Sequence, residues 1–134
     1  MSDQELMLLA EKARENAYVP YSNFKVGAAL LCSDGSVYLG CNVENASYGA
    51  TMCAERTAVF SAIADGKRAF LKIAVCGGND HADVPCPPCG ICRQVLREFT
   101  ESTFRVIMKN GDAVLSYTIG ELLPLFFQKS TLDG

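Results

Sequence analysis

Two short segments hold most of the residues in this chain that could do chemistry. "TMCAERTAV", Thr51 to Val59, carries Cys53, Glu55 and Arg56, and "VPCPPCGICRQV", Val84 to Val95, carries Cys86, Cys89 and Cys92. Clustered thiols suggest a metal centre. Zinc takes thiolate, imidazole or carboxylate ligands, and a catalytic zinc keeps three protein ligands and leaves the fourth position for water. The chain has one histidine, His81, so a histidine-rich site is excluded and thiols must carry the ion.

The second segment has two overlapping C-x-x-C readings. In Cys86-Pro87-Pro88-Cys89 both intervening residues have a fixed φ and lack an N–H, so that loop folds poorly around an ion. In Cys89-Gly90-Ile91-Cys92 the intervening N–H groups are free to donate to sulfur, and the segment precedes a helix. Cys89 and Cys92 are the favoured pair, with Cys86 a bystander. Cys53 stands where another helix begins, and a helix N-terminus favours a thiolate. Glu55 follows two residues later. Positions i and i+2 of a helix do not face each other, so Glu55 suits a general acid and base over the open position better than a fourth ligand. Three thiolates would leave zinc with a formal negative charge, which Arg56 or Arg93 could offset.

A closed zinc ribbon is the competing structural reading, with His81 or Cys86 as the fourth ligand. A redox C-x-x-C gives Cys53 and Glu55 no role. His81, in the polar stretch GGNDHAD, reads as an exposed loop residue. Cys32, Cys41 and Cys76 lie in apolar, strand-like segments and read as buried small hydrophobes.

Alternating helix and strand patterns must position these groups. Helical spacing runs from Asp3 to Ala17, with Ser2 or Asp3 as cap. Strands follow at Lys25–Cys32 and Ser36–Val43, joined by the turn Ser33-Asp34-Gly35. Glu44 to Met52 shows no periodicity. A helix spans Cys53 to Ala64, a strand Ala69 to Cys76, and Gly77-Gly78-Asn79-Asp80 breaks it. A helix from Gly90 to Phe99, strands at Phe104–Met108 and Ala113–Thr118, a short helix from Ile119 to Leu123 and a tail complete the chain. The order predicts one domain over residues 1–134. Its fold class is a three-layer α/β/α arrangement, a mixed five-stranded sheet with helices on both faces.

Composition limits the partners. A net charge of −3 and no tryptophan give neither a basic footprint nor a stacking platform for nucleic acid. No apolar run reaches the ~20 residues that span a bilayer. The start MSDQELMLLAEKARENA lacks the order of a signal peptide, so the expected address is cytoplasmic. An odd number of cysteines, seven, does not suggest a disulfide framework.

The two segments together, C-A-E-R and P-C-G-x-C-R-Q-V, resemble the zinc-dependent cytidine deaminases of the small homotetrameric kind. "AYVPYSNFKVGAAL", "GCNVENASYG" and "ELLPLFF" resemble further motifs of that family in the same order. The resemblance implies hydrolytic deamination of cytidine and 2′-deoxycytidine, with zinc activating water for attack at C4. It implies that Cys53, Cys89 and Cys92 hold zinc, that Glu55 shuttles protons and that Arg56 neutralises ligand thiolates. Asn42 and Glu44 would bind the ribose hydroxyls; they leave a strand end two apart and can point the same way. Ala54 backbone would read the pyrimidine edge and Phe24 would pack on its ring. Ala46, Tyr48 and a tail phenylalanine, Phe127 with the adjacent Phe126 as the alternative, would come from neighbouring subunits of a homotetramer. The implied partner is a small nucleoside. A deaminase of nucleotides or nucleoside analogues, or a zinc-stabilised module without activity, would be the alternatives; no basic or glycine-rich phosphate cradle is evident near Asn42 to Tyr48.

Overall fold

The computed structural model describes residues 1–134. Helix α1 (Asp3–Arg14) leads into a hairpin of β1 (Lys25–Cys32) and β2 (Val37–Cys41). Then come α2 (Ala54–Ala64), β3 (Phe70–Gly78), α3 (Gly90–Phe99), β4 (Arg105–Asn110) and β5 (Ala113–Thr118). Two short helices, α4 (Ile119–Leu122) and α5 (Lys129–Asp133), end the chain. The five strands form one sheet in the order β2-β1-β3-β4-β5. β3 and β4 run parallel and every other pair antiparallel. The parallel pair requires a crossover, and α3 supplies it.

Strand alternation sorts the core into two layers. Ala28, Leu30, Cys32, Ile73, Val75 and Val106 pack with Ala58, Val59 and Leu96 of α2 and α3. The intervening Ala29, Leu31, Ala74, Cys76 and Ile107 pack with Leu6, Met7 and Ala10 of α1. Successive side chains of a strand point to opposite faces, so near-continuous apolar strands need cover on both. The result is the three-layer mixed sheet that the sequence predicts. No helix is long and apolar enough to cross a membrane.

Helix α1 is capped by Ser2, whose hydroxyl accepts from Glu5 N–H in a capping box. It ends at Arg14 rather than Ala17, because Glu15, Asn16 and Ala17 donate to carbonyls three residues back and tighten the last turn. The larger departure is in β3. Gly77-Gly78 does not break it: the two glycines pair with Val26 and Lys25 and carry the strand onward. They are glycines because of close packing. A Cβ on Gly77 would stand 2.8 Å from Cys86 Sγ, and one on Gly78 1.8 Å from the His81 carbonyl oxygen. The tail gains a helix, α5, where no element was expected. Cys32 and Cys76 are buried as expected, whereas Cys41 is only half-buried at the end of the outer strand β2.

Candidate active site

The site lies off the ends of β2 and β3, where α2 and α3 begin. Both helices start on a cysteine. Cys53 is the N-cap of α2 and Cys89 the N-cap of α3, each in extended conformation and neither making a side-chain cap bond. Serine, threonine or aspartate would cap better; cysteine here keeps its sulfur free for something else. Cys92, in the first turn of α3, is fully buried. The three Sγ atoms lie within 4.8 Å of one another, and Cys53 and Cys89 are 3.9 Å apart.

Those spacings fit zinc. Tetrahedral Zn–S bonds of ~2.3 Å place neighbouring sulfurs about 3.8 Å apart. Two helix N-termini favour anionic sulfur, and Arg56 Nη2 donates to Cys53 Sγ at 3.3 Å. Arg56 Nε is buried without an acceptor of its own. The Cys92 thiol, then the Arg56 guanidinium, hold the Cys53 thiol down, to about 5. The same pairing with Cys53, with burial, drives Cys92 up. A dication would release the remaining protons, since thiolate is the ligand form. The cluster is thus compatible with zinc on Cys53, Cys89 and Cys92.

Cys86 stands outside that cluster. Its thiol packs on the core beneath α2 and α3, and burial pushes it up to about 11, so it stays protonated. Arg93 does not face the thiolates; it donates to the carbonyl oxygens of Pro88 and Leu122.

Glu55 is the one buried charged residue, 5% exposed. Burial raises its carboxyl to about 7, and the nearby Cys53 thiolate adds to the rise. A carboxyl poised near neutral pH suits proton transfer in both directions.

A cleft of about 160 Å³ opens at this point, lined by Val26, Asn42, Cys53, Ala54, Glu55 and Cys86 among others. A larger cavity of about 510 Å³ lies elsewhere, between Arg68, Phe70 and Phe99, and touches none of the thiols. Chemistry, not size, selects the smaller one. Asn42 lines it, and Asn42 and Glu44 are both tied to the Tyr21–Phe24 loop. Asn42 Oδ1 accepts from Val26 N–H at 2.9 Å and its Nδ2 donates to the Phe24 carbonyl at 2.8 Å. Glu44 accepts from the N–H groups of Tyr21 and Ser22. Phe24 is 40% exposed, and its ring approaches Gly77 beside Cys86.

Ala46, Tyr48 and Phe127 are not brought into the cleft. All three are exposed. Phe126 lies under the Arg97 guanidinium, 4.2 Å from ring centroid to carbon, while the Phe127 ring is free and its carbonyl is held by Gln94. The sequence reading passed over Val26, Thr51, Met52 and Pro87, which also line the cleft. Val26 was recoverable, since it shares a strand face with Ala28 and Leu30.

A mixed α/β/α sheet that presents three thiols and one buried carboxyl from two helix ends defines a metal-dependent hydrolase site. Residues 1–108 match the model of the cytidine and deoxycytidylate deaminase zinc-binding region. The chain is 52% identical to a cytidine deaminase of Halalkalibacterium halodurans, over 99% of each chain. It is 48% identical to one of Sporosarcina psychrophila, over 99% of this chain and 96% of the other. The crystal structure of cytidine deaminase from Burkholderia pseudomallei superposes with a TM-score of 0.87 at 52% identity, covering 95% of this chain and all of that one. The chain therefore belongs to the cytidine and deoxycytidylate deaminase family.

Proposed function

We propose that the protein is a cytidine deaminase, hydrolysing cytidine and 2′-deoxycytidine to uridine and 2′-deoxyuridine with release of ammonia, in pyrimidine salvage in the cytoplasm. The observation that carries this reading is Glu55, a buried carboxyl raised to about 7 beside a three-thiol cluster. Zinc on Cys53, Cys89 and Cys92 would supply the Lewis acidity that makes water a nucleophile near neutral pH.

The chain's own residues do the rest. Glu55 takes a proton from the attacking water and gives it to ring N3 as oxygen bonds to C4. A second proton, from the oxygen now on C4, passes through the same carboxylate to the amine, which leaves as ammonia. One group serves twice because its two targets are neighbouring atoms. Arg56 offsets the thiolate charge. Asn42 and Glu44 take the ribose hydroxyls, the Ala54 backbone reads the pyrimidine edge and Phe24 covers the ring.

The cleft holds about 160 Å³, below the ~300 Å³ at which small-molecule sites begin. Tyr48 is 75% and Phe127 58% exposed. Both facts support a homotetramer in which Ala46, Tyr48 and Phe127 complete the sites of neighbouring copies. The test is loss of cytidine absorbance with purified protein, Glu55→Ala run alongside, and light scattering for the mass. Loss with wild type alone is expected. A zinc-loaded wild type that leaves cytidine untouched overturns the reading.

A further inference from the structure

One hydroxyl stands between the two halves of the nucleoside site. Ser22 Oγ donates to Glu44 Oε2 at 2.5 Å, and the same oxygen accepts from the Phe24 N–H at 3.0 Å. Glu44 Oε1 takes the N–H groups of Tyr21 and Ser22 at 2.9 and 3.1 Å. The Phe24 carbonyl is fixed from the other side by Asn42 Nδ2. Asn42 and Glu44 are the ribose contacts of the proposed function, and Phe24 is its base contact.

A serine hydroxyl has one proton to give and two lone pairs. Here the proton is spent on the carboxylate and a lone pair on the phenylalanine backbone. The residues between them sit in a bent loop, with Asn23 at φ 61°, a conformation that needs support from its neighbours. Three donors on Glu44 keep its carboxyl below the usual range, the Ser22 hydroxyl being the main cause. An ionised, fixed acceptor is what a sugar hydroxyl needs, and a free carboxylate on an exposed loop would lose rotamer entropy on binding.

We propose that Ser22 is a positioning residue that locks the ribose-binding Glu44 to the base-covering Phe24. This rests on the deaminase reading and on the ribose role of Glu44. The Ser22 hydroxyl is engaged by Glu44 and Phe24 and does not line the cleft at Glu55, so its loss should weaken binding and spare the chemical step.

The test compares cytidine with 2′,3′-dideoxycytidine, which keeps the base and the 5′-hydroxyl and lacks the 2′- and 3′-hydroxyls. Ser22→Ala is expected to raise KM for cytidine about tenfold, with kcat within about twofold, as for loss of a charge-assisted hydrogen bond. The preference for cytidine over the dideoxy compound should shrink several-fold, because only cytidine uses Glu44. Ser22→Thr, which keeps the hydroxyl, should retain the preference. A purely structural role would lower both substrates alike and leave the ratio where it was. If Ser22→Ala does not fold, Ser22→Cys carries the same comparison with a weak donor. A wild-type preference that Ser22→Ala keeps intact overturns the lock alone. Equal collapse in Ser22→Thr overturns the hydroxyl as its cause. A wild type without any preference overturns the ribose role of Glu44, and one inactive on cytidine overturns the deaminase reading.

Discussion

Arg93 Nη1 donates to the Leu122 carbonyl at 2.8 Å while its Nε donates to the Pro88 carbonyl at the same distance. One guanidinium thereby joins the residue before Cys89 to the end of α4. Gln94 and Arg97, on the same helix, hold Phe127 and Phe126. Helix α3 thus fixes both the thiol loop and the tail. Arg93→Ala should cost about 1 kcal/mol or somewhat more, toward the low end of the range for leaving carbonyls without their charged donor, since both bonds are part-buried. It should also weaken zinc binding in competition with a chromophoric chelator. Arg93→Lys should recover little, since an ammonium is a point donor and cannot span both carbonyls. An unchanged melting temperature and zinc affinity in Arg93→Ala would remove this link.

Glu55 carries a pH signature as well as its proposed catalytic one. Its folded-state carboxyl sits at about 7, above the 4.5 of the free group, because burial disfavours the charged form. The folded state therefore binds this proton more tightly than the unfolded one. The cost to stability is absent below pH 4.5, grows as pH rises and is complete above pH 7. In chelator-treated protein, Glu55→Gln should match wild type near pH 4.5 and exceed it at pH 8, by up to about 3 kcal/mol. Bound zinc would lower the carboxyl and shrink the gain. Denaturant titrations at the two pH values check the sign. The same variant, loaded with zinc, should lose at least 10²–10⁴-fold in turnover.

The sequence was most legible where local rules and tertiary demands agree. The five strands, α1 to α3 and the order of layers follow from periodicity, because both faces of the sheet are covered and its strands read apolar throughout. Cys53 and Cys89 stand at helix starts, as the sequence pattern predicts. Legibility failed where packing overrides a local signal. Gly77-Gly78 reads as a breaker, yet it is a strand with no room for side chains against Cys86 and His81. Ser22 and Arg93 were opaque because their partners, Glu44 and Leu122, lie 22 and 29 residues away. No periodicity reports a long-range hydrogen bond.

Cys86 lies three residues before a zinc-type cysteine and lines the same cleft, so its part can be separated by metal content. Its sulfur is not among the three that lie within 4.8 Å of one another and packs on the core instead. Cys86→Ala should keep one zinc per chain by elemental analysis. Cys53→Ala and Cys92→Ala should lose it. The same metal loss in Cys86→Ala would mean that the proline-rich register is the ligating one. Activity of Cys86→Ala should fall modestly at most, through the close approach of the thiol to Gly77, which the Phe24 ring also approaches.

Gly40 tests whether the sheet sets the position of the metal. A Cβ there would stand 2.3 Å from the Ala54 carbonyl oxygen and 2.5 Å from the Ala58 nitrogen. Both are backbone atoms of α2, so no side chain can swing aside. β2 and the first turn of α2 must separate, and Cys53 is the residue that opens that turn. Gly40→Ala should cost about 1–3 kcal/mol from overpacking, or more. Its zinc should also exchange faster, because Cys53 moves while Cys89 and Cys92, on α3, do not. Chemical denaturation and zinc release to a chelator measure the two effects on one sample. If stability falls while zinc release is unchanged, Cys53 is held by its neighbours in the cluster rather than by the sheet.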